Sequence, residues 1–151
     1  MAFPLPDPMR LALDRAHEAA LTGEVPVGAV VTREGEVVAV AGNAMRDRHD
    51  PTAHAEMVAL REAARALGTS RLDDCDLWVT LEPCAMCAGA IALARIARLY
   101  FAAPDPKGGA VFHGPRLFGQ PTCHHAPDVY PGIGEEEAAA MLRRFFQERR
   151  G

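Results

Sequence analysis

The chain has 151 residues, of which 49% are hydrophobic and 24% charged, and its formal net charge is −4. These values are typical of a soluble globular protein, so we predict a single domain over residues 1–151. No apolar run approaches the roughly 18 residues that a membrane span needs, and the N-terminus shows no secretory leader. We therefore expect a cytoplasmic protein with no membrane partner and no organic cofactor. The acidic balance excludes a general attraction to nucleic acid and leaves only local basic patches for that role.

Hydrophobic periodicity predicts alternating helices and strands. In chain order it predicts a helix (9–21), a hairpin of two strands (25–32 and 37–41), a helix (51–67), a strand (77–81), a helix (83–94), a strand (99–102) and a terminal helix (135–149). Strands that alternate with helices run parallel and are buried, which fits their continuous apolar character. The Pro-, Gly- and His-rich residues 103–134 predict a long loop region with little regular structure. The order predicts an α/β protein with a mixed sheet and helices on both faces.

Two helix starts carry side chains that can bind a metal ion. Cys84 and Cys87 are three residues apart, so they share one helical face in a first turn that favours thiolate. A C-x-x-C pair alone could also be redox-active or form half of a four-cysteine structural site. Cys75 and Cys123, however, are not spaced to complete such a site. His54 begins the preceding predicted helix, and one His with two Cys leaves a fourth position open, as in a catalytic zinc site.

Glu56 is the candidate proton shuttle. Residues two apart on a regular helix point to nearly opposite sides, so His54 and Glu56 converge only if His54 lies in an irregular first turn. Pro51 and Thr52, just upstream, favour such a turn. A carboxylate beside a zinc-activated water can accept its proton and pass it on. His-Ala-Glu followed by Pro-Cys-x-x-Cys is the known signature of zinc deaminases.

Longer stretches around these motifs resemble a specific family, the bacterial tRNA-specific adenosine deaminases of the cytidine deaminase-like fold. The similar stretches are 24–30, Asn43, 49–57, 79–89 and 94–96, and the resemblance runs from about residue 9 to 110 and returns in the terminal helix. The zinc motif is shared with deaminases of free bases and nucleosides, so it indicates the reaction type only. The resemblance implies a three-layer α/β/α fold with a central mixed five-stranded sheet flanked by helices.

The resemblance also implies a substrate and a chemistry. The wobble adenosine of a tRNA anticodon loop would leave its stack and enter the zinc pocket, since the reacting carbon cannot be reached inside the stack. Hydrolytic deamination would give inosine and ammonia, with Zn²⁺ held by His54, Cys84 and Cys87, and Glu56 moving the protons. Asn43 would hydrogen-bond the purine, and the backbone at Ala55 and Glu82 would form the pocket wall. The family usually forms homodimers.

A loop that contains Asp105 and Lys107 aligns with a family loop that contacts the anticodon backbone and ribose. Asp105 could accept a hydrogen bond from a 2′-hydroxyl and Lys107 could meet a phosphate. An exposed turn with a solvated lysine is the competing interpretation. The terminal helix is predicted to direct an apolar face inward, formed by Met141, Leu142, Phe145 and Phe146. Its arginines could bind phosphate or complement the helix dipole; they are Arg143, Arg144, Arg149 and Arg150.

The sequence is also compatible with a second metal site, a different substrate or a non-catalytic role. Residues 111–133 depart from the better-known family pattern, and His124 with His125 could hold a second metal, although a surface loop is the simpler interpretation. A deaminase of a free base or nucleoside, such as guanine or cytosine/cytidine, would share the zinc motif. A non-catalytic zinc-stabilised RNA-binding subunit should lack the proton shuttle, whereas Glu56 is present.

Overall fold

A computed structural model describes residues 4–150; residues 1–3 and 151, the two ends of the predicted domain, lie outside the described residues. The elements in chain order are α1 (Asp7–Leu21), β1 (Gly28–Arg33), β2 (Glu36–Gly42), α2 (Ala55–Leu67), β3 (Cys75–Leu81), α3 (Ala85–Ala94), β4 (Arg98–Ala103), a 3₁₀ turn (Leu117–Gly119), β5 (Asp128–Tyr130) and α4 (Glu135–Arg150). The strands form one sheet in the order β2-β1-β3-β4-β5. Strand β1 is antiparallel to both neighbours, and the other pairs are parallel. The predicted mixed five-stranded sheet is confirmed.

Helices cover both faces of the sheet. Successive side chains of a strand point to opposite faces, so Leu77 and Val79 pack with α2 and α3, whereas Trp78 packs with α1 and α4. The predicted three-layer α/β/α architecture is therefore confirmed. Helix α1 lies so close to β1 that a Cβ atom on Gly28 would come within 1.9 Å of the carbonyl oxygen of Ala12. Only glycine allows this approach.

The predicted hairpin forms through the two-residue turn Glu34–Gly35, in which both φ angles are positive, at 51° and 81°. Two positive φ angles define the turn type whose twist matches that of paired strands. Strands β2, β3 and β4, which alternate with helices, are parallel to one another because β1 separates β2 from β3 and opposes both. Their carboxyl ends therefore lie at one edge of the sheet.

Two helices begin later than the sequence pattern predicts. Helix α2 starts at Ala55 and not at Pro51, because the carboxylate of Asp50 accepts hydrogen bonds from both the N–H and the hydroxyl of Thr52. That local turn competes with helical hydrogen bonding. Helix α3 starts at Ala85 and not at Pro83, since the preceding Cys84 has extended backbone angles.

Residues 103–134 contain little regular structure, as predicted; between β4 and α4 the two elements are the 3₁₀ turn and β5. Strand β5 is only three residues long, and it pairs with β4 from Arg98 to Tyr100. Its order comes from that pairing and not from a local pattern. No helix in the described part of the chain is long and apolar enough to cross a membrane.

Candidate metal centre and active site

The predicted metal ligands meet at the carboxyl edge of the sheet, where two helices begin. His54 is the N-cap residue of α2 and Cys84 that of α3, and both have extended backbone angles. Their side chains consequently leave the helix axes and converge between the two N-termini. Cys87 lies in the first turn of α3 and is fully buried. The late start of α2 supplies the irregular turn that the His54–Glu56 spacing requires.

The three side chains fit a tetrahedral zinc ion. His54 Nδ1 lies 3.6 Å from the sulfur of Cys84 and 3.5 Å from that of Cys87. Zinc bonds of about 2.3 Å to sulfur and about 2.0–2.1 Å to nitrogen place such ligands about 3.5–3.6 Å apart in a tetrahedron. Within residues 4–150 these three form the one cluster of side chains suited to hold a metal. The donor set leaves a fourth tetrahedral position without a protein ligand.

Hydrogen bonding within the cluster gives the two thiols different pKa values. The pKa of Cys84 is lowered to about 4, mainly because the Cys87 thiol donates a hydrogen bond to it. The same bond, together with burial, raises the pKa of Cys87. The hydrogen bond with Cys84 raises the pKa of His54 against the effect of burial. Binding of a metal by both sulfurs therefore requires the release of a proton.

Glu56 lies one residue into α2, beside this cluster, and its surface is only 4% exposed. Burial in a poorly polarisable environment disfavours the charged carboxylate. It raises the pKa of Glu56 to about 7. A carboxyl group with that pKa is able both to accept and to release a proton at neutral pH.

Asn43 joins the end of β2 to the start of α2. Its side-chain oxygen accepts a hydrogen bond of 2.8 Å from the backbone N–H of Ala55, one of the donors that a helix N-terminus leaves unpaired. This bond uses the carbonyl end of the amide and leaves the NH₂ group, which can only donate. Asn43 lines the same cavity as His54 and Glu56.

Glu82 lies directly after β3, and its side chain is fully buried. One carboxylate oxygen accepts hydrogen bonds from the N–H of Asp105 at 3.0 Å and from Nδ1 of His113 at 2.8 Å. The other oxygen accepts from the N–H groups of Val111 at 3.1 Å and Phe112 at 3.0 Å. Burial raises the pKa of Glu82, but these four hydrogen bonds outweigh it and lower the pKa overall.

The loop that contains Asp105 and Lys107 lies at the mouth of the cavity. Asp105 is half-buried, and its Oδ1 accepts hydrogen bonds from the N–H groups of Lys107 and Gly108 at 3.2 Å and 3.0 Å. The carboxylate thus closes its own turn. Lys107 is exposed. Both residues line the cavity, as the predicted RNA contacts should.

The cavity has a volume of about 680 Å³, and α4 shares its walls with all the predicted site residues except Ala55 and Cys87, which are fully buried. Leu142 and Phe146, which the sequence pattern places on an inner apolar face, border this space, and Phe146 is 45% exposed. Of the terminal arginines, Arg143 lines the cavity. Arg149 lies 4.1 Å over the Phe145 ring, and the side chain of Arg150 lies outside the described residues.

The sequence model described as "Cytidine and deoxycytidylate deaminase zinc-binding region" matches residues 6–103. A relative from Agrobacterium fabrum, named tRNA-specific adenosine deaminase, is 58% identical over 142 residues, which cover 94% of this chain and 93% of the relative. The chain belongs to the tRNA-specific adenosine deaminase family of zinc-binding deaminases. Its resident metal is Zn²⁺, for which the His and two Cys side chains provide a fitting donor set.

Solved structures agree with membership of this deaminase family. One, from a study of A-to-I editing by tRNA:A34 deaminases at the wobble position of transfer RNA, is 57% identical and superposes with a TM-score of 0.89, covering 89% of this chain and 98% of that one. A guanine deaminase from Bacillus subtilis is 30% identical with a TM-score of 0.62, covering 95% of this chain and 91% of that one. The deaminase fold therefore serves both kinds of substrate.

Sequence reasoning about this deaminase missed the roles of α4 and of His113. The apolar spacing of α4 could not show that its inner face borders a cavity as well as the core. His113 was noted only as part of the divergent residues 111–133, a candidate RNA path, and its bond to Glu82 was not predicted because the two are 31 residues apart in the chain. The suggested second metal site is not supported among the residues that the structure describes: the His125 ring bonds to the carbonyl oxygen of Ile96 at 2.7 Å, and His124 is exposed.

Proposed function

We propose that this chain deaminates the wobble adenosine of a tRNA anticodon loop to inosine, with the release of ammonia. The observation that carries the proposal is the convergence of His54, Cys84 and Cys87 beside the buried Glu56, at a cavity that His54, Glu56 and Cys84 line. The 58% identity to a tRNA-specific adenosine deaminase over nearly the whole chain supports the substrate. The proposed roles are metal ligands for the first three residues and proton shuttle for Glu56.

The proposed chemistry divides between the metal and the carboxyl group. A zinc ion held by His54, Cys84 and Cys87 would lower the pKa of a water molecule beside them to about 7 and so would supply the nucleophile. Glu56 accepts a proton from that water and delivers it to the purine ring nitrogen beside the reacting carbon. It then accepts the remaining proton from the newly attached hydroxyl oxygen and transfers it to the departing amine. The new C–O bond replaces the C–N bond, and the carboxyl group returns to its starting state.

Asn43 and the backbone of α2 would hold the base. The NH₂ group of Asn43 is the half of the amide that the Ala55 hydrogen bond leaves available, so it suits an acceptor on the purine. The hydrogen bond also fixes the amide, so little side-chain freedom is lost on binding. Glu82 lines the cavity, whereas Ala55 is fully buried behind its wall and its N–H is bonded to Asn43. Asp105 and Lys107 would contact ribose and phosphate at the mouth.

The shape of the cavity supports a polynucleotide substrate. It opens along α4, where a second hollow is lined by Leu142, Arg143, Phe146 and Gln147. An exposed aromatic ring beside an arginine can stack a base and neutralise a phosphate. A free base would need no such extension. These local groups provide attraction to RNA that the net charge of −4 does not.

Deamination of guanine is the second candidate, favoured by the likeness to the Bacillus subtilis guanine deaminase. The deciding experiment is incubation of the zinc-loaded protein with total tRNA, followed by inosine mapping, in parallel with an ammonia assay on guanine and cytidine. Inosine at position 34 of a tRNA supports the proposal. Turnover of guanine together with unmodified tRNA would contradict it.

The chain should also form a homodimer in the cytoplasm. Helix α3 contains no charged residue over its ten positions, and its Leu93 is 84% exposed. Helices that are apolar on all sides are normally covered, so a second copy is a suitable partner for this face. Sedimentation of the wild type and of Leu93→Glu tests the proposal: the wild type should be dimeric and the variant should shift toward monomer. A monomeric wild type at micromolar concentration would oppose it.

A further inference from the structure

We infer that the Glu82 carboxylate is a positioning residue that holds the 105–113 segment, and with it Asp105 and Lys107, against the mouth of the active site. The segment is defined as residues 105–113. The kinetic part of this inference rests on the proposed function, whereas the part that concerns the segment's order does not. Glu82 acts here through its side chain, which is a different role from the backbone contribution to the pocket wall.

The geometry around Glu82 shows that its side chain faces the segment and not solvent. Three backbone N–H groups and one imidazole converge on two oxygens, two donors to each oxygen. The donors come from both ends of the segment, since Asp105 begins it and His113 ends it. A fully buried carboxylate cannot itself touch RNA. It therefore influences substrate only through the backbone that it holds.

Close packing in the middle of the segment points to the same role. A Cβ atom on Gly109 would come within 2.5 Å of the Glu82 carboxyl carbon and equally close to the carbonyl oxygen of Asp105. The Ala110 N–H also donates to the carbonyl oxygen of Pro83, at 2.9 Å. Because Pro83 and Cys84 follow Glu82 directly, one short stretch of chain connects the segment to the metal centre. The three proposed metal ligands lie outside the segment, so a variant that loosens the segment retains all of them.

Glu82→Gln tests the inference because it keeps the side-chain shape. The amide retains one acceptor oxygen but turns an NH₂ group toward two of the donors, which then lose their bonds. Hydrogen exchange measured by mass spectrometry should show peptide 104–113 exchanging about tenfold faster or more. Glu24→Gln is the matched control, since Glu24 is 5% exposed and accepts N–H bonds from Arg46 and Asp47. It should accelerate exchange around residue 46 only.

Kinetics on an anticodon stem-loop separate positioning from catalysis. Glu82→Gln should raise KM about tenfold with kcat within about threefold, as expected when binding is lost uniformly. Lys107→Ala should weaken binding in the wild type but have little further effect in the Glu82→Gln background, because its side chain is already displaced. Zinc content should stay at one per chain in each variant.

Three results would overturn the inference: unchanged exchange of peptide 104–113 in Glu82→Gln, a loss confined to kcat, or an undiminished Lys107→Ala effect in the double variant. If Glu82→Gln does not fold, His113→Ala is the alternative, because His113 is 35% exposed and its replacement removes one of the four donors to Glu82. Exchange of peptide 104–113 should then accelerate by a smaller factor. If wild-type protein leaves tRNA unmodified, the proposed function fails, and the exchange experiment still decides whether Glu82 orders the segment.

Discussion

The side-chain oxygen of Asn43 accepts a hydrogen bond from the backbone N–H of Ala55, so a strand end and a helix start twelve residues apart hold each other in place. His54 precedes this N–H and Glu56 follows it. Together with the Ala44 N–H, which donates to the carbonyl oxygen of Ala53 at 2.9 Å, this amide holds the turn from which the proposed metal ligand and proton shuttle both project. The same amide presents its NH₂ group for a substrate acceptor.

Two substitutions of Asn43 should separate these functions. Asn43→Ala leaves the Ala55 N–H unpaired and should cost about 1–3 kcal/mol of unfolding free energy in addition to activity. Asn43→Asp keeps the acceptor for Ala55 but loses the NH₂ donor, so its stability should fall less than its kcat/KM. Urea unfolding and inosine formation measure the two effects. Equal activity in Asn43→Asp and wild type would refute a substrate contact.

Replacement of Glu56 should separate metal binding from turnover. Glu56→Ala removes the proposed proton shuttle but none of the three metal-binding side chains, so zinc content should remain near one per chain. Loss of general acid–base catalysis typically lowers the rate about 10²–10⁴-fold, so kcat should fall by at least about 100-fold. Elemental analysis and inosine formation are the measurements. Retention of substantial activity would show that protons move by another route.

Removal of zinc should loosen the contact between the starts of α2 and α3. A metal that binds only the folded state adds to its stability by mass action, so treatment with a chelator should lower the melting temperature, and added zinc should restore it. Cys87→Ala should abolish this response. Cys75→Ala is the control, because Cys75 is equally buried but lies in β3 outside the cluster. A chelator effect that survives in Cys87→Ala would argue against the proposed ligands.

The sequence predicted the metal cluster better than its surroundings. His54, Cys84 and Cys87 were found because zinc chemistry restricts both residue type and spacing, and the structure brings all three together. The four longer strands were predicted from their apolar runs, with ends shifted by up to three residues. Strand β5 had no such run, since its order depends on pairing with β4.

Contacts between distant residues account for most of what the pattern did not predict. The hydrogen bonds of Glu82 connect residues 23 to 31 positions apart, and no local period encodes them. The start of α2 was misplaced because the Asp50 side chain bonds to Thr52, a competition that helix-start rules based on proline ignore. The position of Phe146 in the cavity wall was not predicted for a related reason. An apolar helix face looks the same in sequence whether it meets the core or a pocket.

An ion pair between α1 and α4 should make the free energy of unfolding depend on pH. Arg10 donates hydrogen bonds to both carboxylate oxygens of Glu137, which His17 also contacts at 3.3 Å, and Arg10 contacts Asp14 as well. The hydrogen bonds from Arg10 are the main cause of a lowered pKa of Glu137. A carboxylate with a lowered folded-state pKa stabilises the protein above its unfolded pKa of about 4.3 and loses that contribution as pH falls through the folded value.

Comparison of wild type with Glu137→Gln across pH isolates this contribution. The wild type should melt at a higher temperature near pH 7, and the difference should shrink as pH falls below about 4, where Glu137 becomes protonated. The difference in melting temperature should be modest and should narrow in high salt, because the side chains of Arg10 and Glu137 are more than one-third exposed, at 43% and 37%. A gap that stays constant down to pH 2.5 would mean that the glutamate stabilises the helix pair by packing and not through its charge.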